Sequence, residues 1–83
     1  MITIYGKTQC PYCDRAKKLC TERNLEFEYK NVEYNEYLNE LKEKIPNVRS
    51  VPQIWVQGDH VGGFTELVQY LEDTGYTGTG HSL

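Results

Sequence analysis

Apolar and polar positions alternate along this chain in two periods. Ile2-Thr3-Ile4-Tyr5 is short and rich in β-formers, and predicts a first strand. Gly6-Lys7-Thr8-Gln9 reads as a loop. From about Pro11 to Arg23 the period changes: Ala16, Leu19 and Cys20 fall on one face, with Asp14, Arg15, Lys17, Lys18 and Glu22 on the other. That pattern predicts an amphipathic helix stopped at Asn24. Leu25-Glu26-Phe27-Glu28-Tyr29 alternates as a half-buried strand does, and Asn31 to Asn35 reads as a connection. Tyr34, Tyr37, Leu38, Leu41 and Ile45 recur at helical spacing, and Pro46-Asn47 ends that second helix. Val51 to Val56 predicts a third strand with Pro52 near its start, where a proline is tolerated. Gln57-Gly58-Asp59-His60 predicts a hairpin turn, leading to a brief fourth strand at His60 and Val61. Gly62-Gly63 breaks the chain. Leu67, Val68 and Leu71 then mark a third helix over Glu66 to Asp73.

The predicted order is β-α-β-α-β-β-α. A right-handed βαβ start makes the first two strands parallel, and the later hairpin adds antiparallel strands. The expected architecture is α/β: a small mixed four-stranded sheet flanked by three helices on both faces. At 83 residues the chain is long enough for one domain. That domain is expected to span 1–74, with 75–83 as a glycine-rich tail that frays. There is no internal repeat and no linker.

Charge and cysteine usage narrow the function classes. The three cysteines are too few, and odd in number, for a disulfide-stapled secreted module. This favours a reducing compartment, the cytoplasm. The start lacks a basic region followed by a long apolar stretch, so no signal peptide is expected. No apolar run approaches membrane-spanning length. The net charge of −3 gives no support to nucleic-acid or anionic-membrane binding. It is unevenly spread. Lys7, Arg15, Lys17, Lys18 and Arg23 against Asp14 and Glu22 give the first 24 residues a net of +3, leaving −6 for the rest. A basic face on an acidic body suits an anionic thiol partner. The tyrosines lie on strand and helix faces and do not form a nucleic-acid stacking platform.

The chemistry centres on Cys10-Pro11-Tyr12-Cys13. On the predicted elements, Cys10 stands where a strand gives way to a helix, and Pro11 fits the first helical position. Unpaired N–H groups and the helix dipole favour a thiolate there. Cys13 lies one turn along, within reach for a disulfide. A Cys-x-x-Cys pair in this setting reads as a thiol–disulfide redox site. The alternatives are half of a tetrahedral zinc site and a pair of inert buried thiols. A closed zinc site needs four ligands, and only Cys20, His60 and His81 remain to complete it. The cations around the motif argue against an inert pair. Cys20 reads as a buried core residue. His60 and His81 receive no role. Thr65 reads as an N-cap with no Glu or Gln three residues later, so free helix N–H groups are expected at that end.

Cys10-Pro11-Tyr12-Cys13, then Ser50-Val51-Pro52-Gln53-Ile54-Trp55, then Gly62-Gly63, together resemble a dithiol glutaredoxin of the thioredoxin-fold superfamily. The likeness runs to about Asp73. It implies a glutathione-dependent oxidoreductase that reduces protein disulfides and protein–glutathione mixed disulfides through Cys10 and Cys13. It further implies a cis bond at Val51–Pro52, with Pro52 facing the pair and Val51 offering its backbone to substrate. Lys7 then matches the basic residue for the glycyl carboxylate of glutathione. Tyr12 lies beside the bound tripeptide, and Arg49 extends the anion site. Gly63, Phe64 and Thr65 receive the γ-glutamyl carboxylate at a helix N-terminus. Two positions depart from the family: Thr65 stands where Asp is common, and Phe64 where Cys is frequent. Loss of the Asp removes a partner for the α-ammonium group and implies weaker glutathione recognition. No metal is expected, and the expected state is a monomer. Ribonucleotide reductase and glutathionylated proteins are the implied electron acceptors. The rival readings are a protein reduced by thioredoxin reductase and a module holding an iron–sulfur cluster between two protomers through Cys10. Pro11-Tyr12, in place of the glycine-phenylalanine pair of cluster-holding relatives, disfavours the cluster.

Overall fold

Strand alternation sets the layers. In the computed structural model, which describes residues 1–77, Ile2 and Ile4 of the first strand are fully buried on one face of a sheet. Thr3 and Tyr5 point to the other face by the two-residue period of a strand. The elements are β1 (Ile2–Gly6), α1 (Pro11–Glu22), β2 (Phe27–Asn31), α2 (Asn35–Lys44), β3 (Gln53–Val56), β4 (Asp59–Gly62) and α3 (Phe64–Thr74). The sheet order is β2-β1-β3-β4. β1 and β2 are parallel, while β3 runs antiparallel to both β1 and β4. This is the predicted element order and the predicted mixed sheet.

The inner face carries the core. Ile2, Ile4, Ile54 and Val56 meet Ala16 and Cys20 of α1 and Leu67 and Leu71 of α3. α1 and α3 also pack on each other. α2 lies against β2 and buries only Leu41 completely. A polar clamp adds to that hold: the Tyr5 hydroxyl and the Lys30 ammonium both donate to Oε1 of Glu40. Of the predicted α2 face, Tyr34 is the N-cap and is exposed, so it adds nothing to the packing.

Several boundaries differ from the sequence pattern: β3 begins at Gln53 instead of Val51, after the cis Val51–Pro52 bond, and β2 runs on to Asn31, paired with Gly6. β2 begins at Phe27 instead of Leu25. α1 closes with Asn24 in the left-handed region (φ 57°), and the N–H of Leu25 donates to Cys20 O at 2.8 Å. This is the closure of a Schellman motif. It commits the Leu25 donor to the helix end while the Leu25 side chain still enters the core. The hairpin turn is shorter than predicted, because Asp59 and His60 already pair in β4. α3 begins at Phe64, not Glu66, and its N-cap is Gly63, not Thr65. Glu66 is therefore the third helical residue, and its Oε1 accepts from the Gly63 N–H at 2.9 Å. The expected absence of such a cap at this end is thus corrected; glycine has no side chain to complete the reciprocal half.

The first residues of the expected tail, 75–77, are described. Gly75 caps α3 at φ 66°, and the Tyr76 hydroxyl accepts from the Met1 amino group at 2.9 Å. Tyr76 also packs on the core. The rest of the expected tail from residue 78, His81 included, lies outside the described residues.

Candidate active site

The loop from β1 to α1 delivers the two cysteines. Gln9 takes the left-handed conformation (φ 56°), which turns the chain into the helix. Cys10 is extended and is the N-cap of α1, and Pro11 follows at the first helical position. The Cys10 carbonyl accepts the Asp14 N–H at 3.0 Å, the first bond of the helix. The Cys10 sulfur accepts from the Cys13 N–H at 3.1 Å. A cysteine sulfur thus occupies the place that a Ser or Asp oxygen takes in an ordinary cap. Cys10 and Cys13 are joined in a disulfide, with their Cα atoms 5.2 Å apart. Cys10 keeps 7% exposure and Cys13 none, so an incoming group can approach only the first sulfur.

The chain before β3 forms the facing wall. The Val51–Pro52 bond is cis, and the Val51 carbonyl oxygen is 3.8 Å from the Cys10 sulfur. Pro52 is buried. Gly63 lies behind it: a Cβ on Gly63 would fall 3.6 Å from the Pro52 carbonyl oxygen. Tyr12 is half exposed on the rim, its ring 6.2 Å from that of Phe64 and 5.0 Å from the Arg15 guanidinium carbon. Among the described residues, no hydrogen-bond acceptor is seen for the Phe64 and Thr65 N–H groups at the start of α3.

The fold therefore brings Cys10, Tyr12, Cys13, Val51, Pro52, Gly63 and Phe64 together around the disulfide. Thr65 is exposed on the first turn of α3. Lys7 is exposed in the loop beside the pair. Its charge contributes to holding the Glu33 carboxyl below the usual range, a smaller effect than the hydrogen bonds from Thr8 and Asn31. Arg49 is exposed and makes no hydrogen bond or ion pair with these residues among those described. Cys20 belongs to the core, where burial pushes its thiol up to about 11. His60 stacks on Trp55, with ring centres 4.5 Å apart, and its Nε2 pairs with Gln53.

A glutaredoxin family profile matches residues 2–61. The chain belongs to the glutaredoxin family. Escherichia coli Glutaredoxin 1 is 36% identical over 78 residues, covering 84% of this chain and 91% of that protein. Human mitochondrial Glutaredoxin-2 is 35% identical over 68 residues, covering 78% of this chain. The chain spans only 42% of that longer relative. Among solved structures, Glutaredoxin 1 from Francisella tularensis, complexed with cacodylate, superposes with a TM-score of 0.72 at 28% identity, covering 87% of this chain and 92% of the other. A buckwheat glutaredoxin–glutathione complex shares the fold, with a TM-score of 0.71 at 24% identity and coverage of 87% and 68%. In this glutaredoxin the Cys10–Cys13 disulfide is the redox-active pair. No helix among the described residues is long and apolar enough to cross a membrane.

Three contributors to the site escaped the sequence reading. Glu66 caps Gly63, and the spacing Gly63-x-x-Glu66 would have revealed it had Gly63 been read as the cap. Glu33 accepts from the Thr8 hydroxyl and so fastens the loop before Cys10; no local pattern signals that link. Tyr29 donates from its hydroxyl to the Lys7 carbonyl at 3.1 Å. β2 residues reach this loop only because β2 lies parallel beside β1.

Proposed function

We propose that this glutaredoxin is a glutathione-dependent reductase of protein disulfides and protein–glutathione mixed disulfides. The observation that carries the reading is the contrast within the pair. One sulfur is accessible, caps a helix, and lies beside the Val51 backbone; the other is sealed beneath it. The Cys10 thiolate attacks a substrate disulfide, forming a mixed disulfide and releasing one substrate thiolate, which takes a proton from solvent. Cys13 then loses its proton and attacks the Cys10 sulfur, releasing the second substrate thiol and closing the Cys10–Cys13 disulfide. Two glutathione thiols reopen that disulfide and leave as glutathione disulfide.

The Val51 backbone would align an extended substrate as an added strand does. Lys7, and Arg49 further out, supply positive charge for the glycyl carboxylate. The Phe64 and Thr65 N–H groups at the start of α3 are suited to the γ-glutamyl carboxylate, with Gly63 allowing close approach and Tyr12 covering the tripeptide. Thr65 offers no carboxylate to the α-ammonium group, which predicts modest affinity. Glutathionylated proteins and ribonucleotide reductase are acceptors that this chemistry would serve, in a monomer acting in the cytoplasm.

A reductase-coupled assay tests the reading. NADPH consumption on a small mixed disulfide is followed once with glutathione and glutathione reductase, and once with thioredoxin reductase. Turnover with the first system alone is expected. Comparable turnover with thioredoxin reductase in the absence of glutathione would overturn glutathione dependence.

A further inference from the structure

Gly6 ends β1 directly behind the redox pair, and two side chains converge on the space its missing side chain leaves. A Cβ there would fall 2.9 Å from the Cys13 sulfur and 2.8 Å from the Tyr29 ring carbon that bears the hydroxyl. The Tyr29 hydroxyl oxygen is the nearest atom of all to that point. Sulfur and phenol thus close together over one bare backbone position, where there is no room for a side chain. The Tyr29 ring is fixed from two sides. Its hydroxyl donates to the Lys7 carbonyl, and the Lys17 ammonium stands 4.2 Å from the ring centre. Burial, with the charges of Asp14 and Glu33, raises the pKa of this phenol above its ordinary value, so it keeps its proton and donates it to Lys7. A phenol oxygen that donates its one proton still has lone pairs to accept with.

Cys13 has no exposed surface. As half of a disulfide it carries no proton and needs no partner. Once reduced, it becomes a buried S–H donor that water does not reach. We propose that Tyr29 is a positioning residue for the resolving cysteine: its hydroxyl oxygen accepts the Cys13 S–H over the bare Gly6 backbone in the dithiol form only. An interaction present in one redox state shifts the balance between the two. Here it stabilises the dithiol, so the pair is a stronger oxidant than it would be without the phenol. In the exchange concerned, a dithiol reagent loses two electrons and closes its own S–S bond. The Cys10–Cys13 bond breaks, and the reagent's two protons pass through solvent, one of them to Cys13. The inference requires only the redox pair and does not depend on glutathione.

The test compares wild type with Tyr29→Phe, which keeps the ring and removes the oxygen. Each is equilibrated with mixtures of reduced and oxidised dithiothreitol, then acid-quenched and alkylated, and the dithiol and disulfide forms are counted by mass. The variant is expected to shift towards the disulfide by between about two- and tenfold, the worth of one net hydrogen bond. Urea unfolding of each variant in each redox state gives the same quantity independently. The reduced form should lose more stability than the disulfide form, whereas a merely structural tyrosine would cost both forms equally. A shift below twofold or towards the dithiol, or equal stability losses in the two states, overturns the proposal.

Discussion

The Cys13 backbone N–H donates to the Cys10 sulfur across 3.1 Å. This contact orders the two cysteines before any chemistry begins. It supplies a fixed donor to the sulfur that must carry charge, at the end of α1 where the helix dipole is positive. Cys10 is therefore expected to react with iodoacetamide at neutral pH in the reduced protein, and Cys13 far more slowly. Mapping the alkylated residue over a pH series checks this. Fast labelling of Cys10→Ser at neutral pH would refute the assignment.

Burial of Cys13 predicts a division of labour. Cys13→Ser should retain removal of glutathione from a small mixed disulfide, since a second glutathione can reach Cys10, the one of the two that keeps some surface. Reduction of a disulfide-bonded protein should fall by at least about tenfold, because an intramolecular thiol is replaced by one from solution that the bulky partner shields. Cys10→Ser should lose both activities. The coupled rates of the two variants on both substrates decide it, and equal losses in Cys13→Ser would mean that no monothiol route exists.

Cys20 gives a contrasting thiol. Burial pushes it up to about 11, and it has no surface exposure. In the folded protein near pH 8 it should resist alkylation and become reactive only in urea. Cys20→Ser places an unpartnered hydroxyl in the core and should cost about 1–3 kcal/mol, with both activities intact. Labelling kinetics with and without urea, together with a melting curve, test both halves.

The clamp on α2 predicts a pH effect. Hydrogen bonds from Lys30, then Tyr5, hold the Glu40 carboxyl below its usual range. A depressed carboxylate contributes stability above its unfolded value, and that contribution is lost as pH falls through the folded value. Tyr5→Phe should therefore cost about 1 kcal/mol near neutral pH, and less once Glu40 is protonated. Urea titrations near pH 7 and near pH 3 compare the two costs. An equal cost at both would show that the ionised carboxylate is not what the Tyr5 hydroxyl holds.

The sequence alone determined the element order, the apolar faces of α1 and α3, and the redox pair. These follow from local regularities: a two-residue or 3.6-residue period, and two thiols one helical turn apart. The cis bond at Val51–Pro52 came from the family resemblance of the motif, not from periodicity. Element ends were less legible. Whether Leu25 joins a strand or closes a helix, and whether Gly63 or Thr65 caps α3, depends on which backbone donor finds which acceptor, and several assignments satisfy the same letters. What only the tertiary structure decided is the set of contacts between residues distant in the chain. Tyr29 and Glu33 hold the loop before Cys10 because β2 is parallel to β1. Tyr5 and Lys30 meet Glu40 because α2 covers the outer face of the sheet. Gly6 matters only because two side chains from distant parts of the chain close over its backbone. A linear pattern records which residues prefer burial; which of them touch is fixed by strand order and packing.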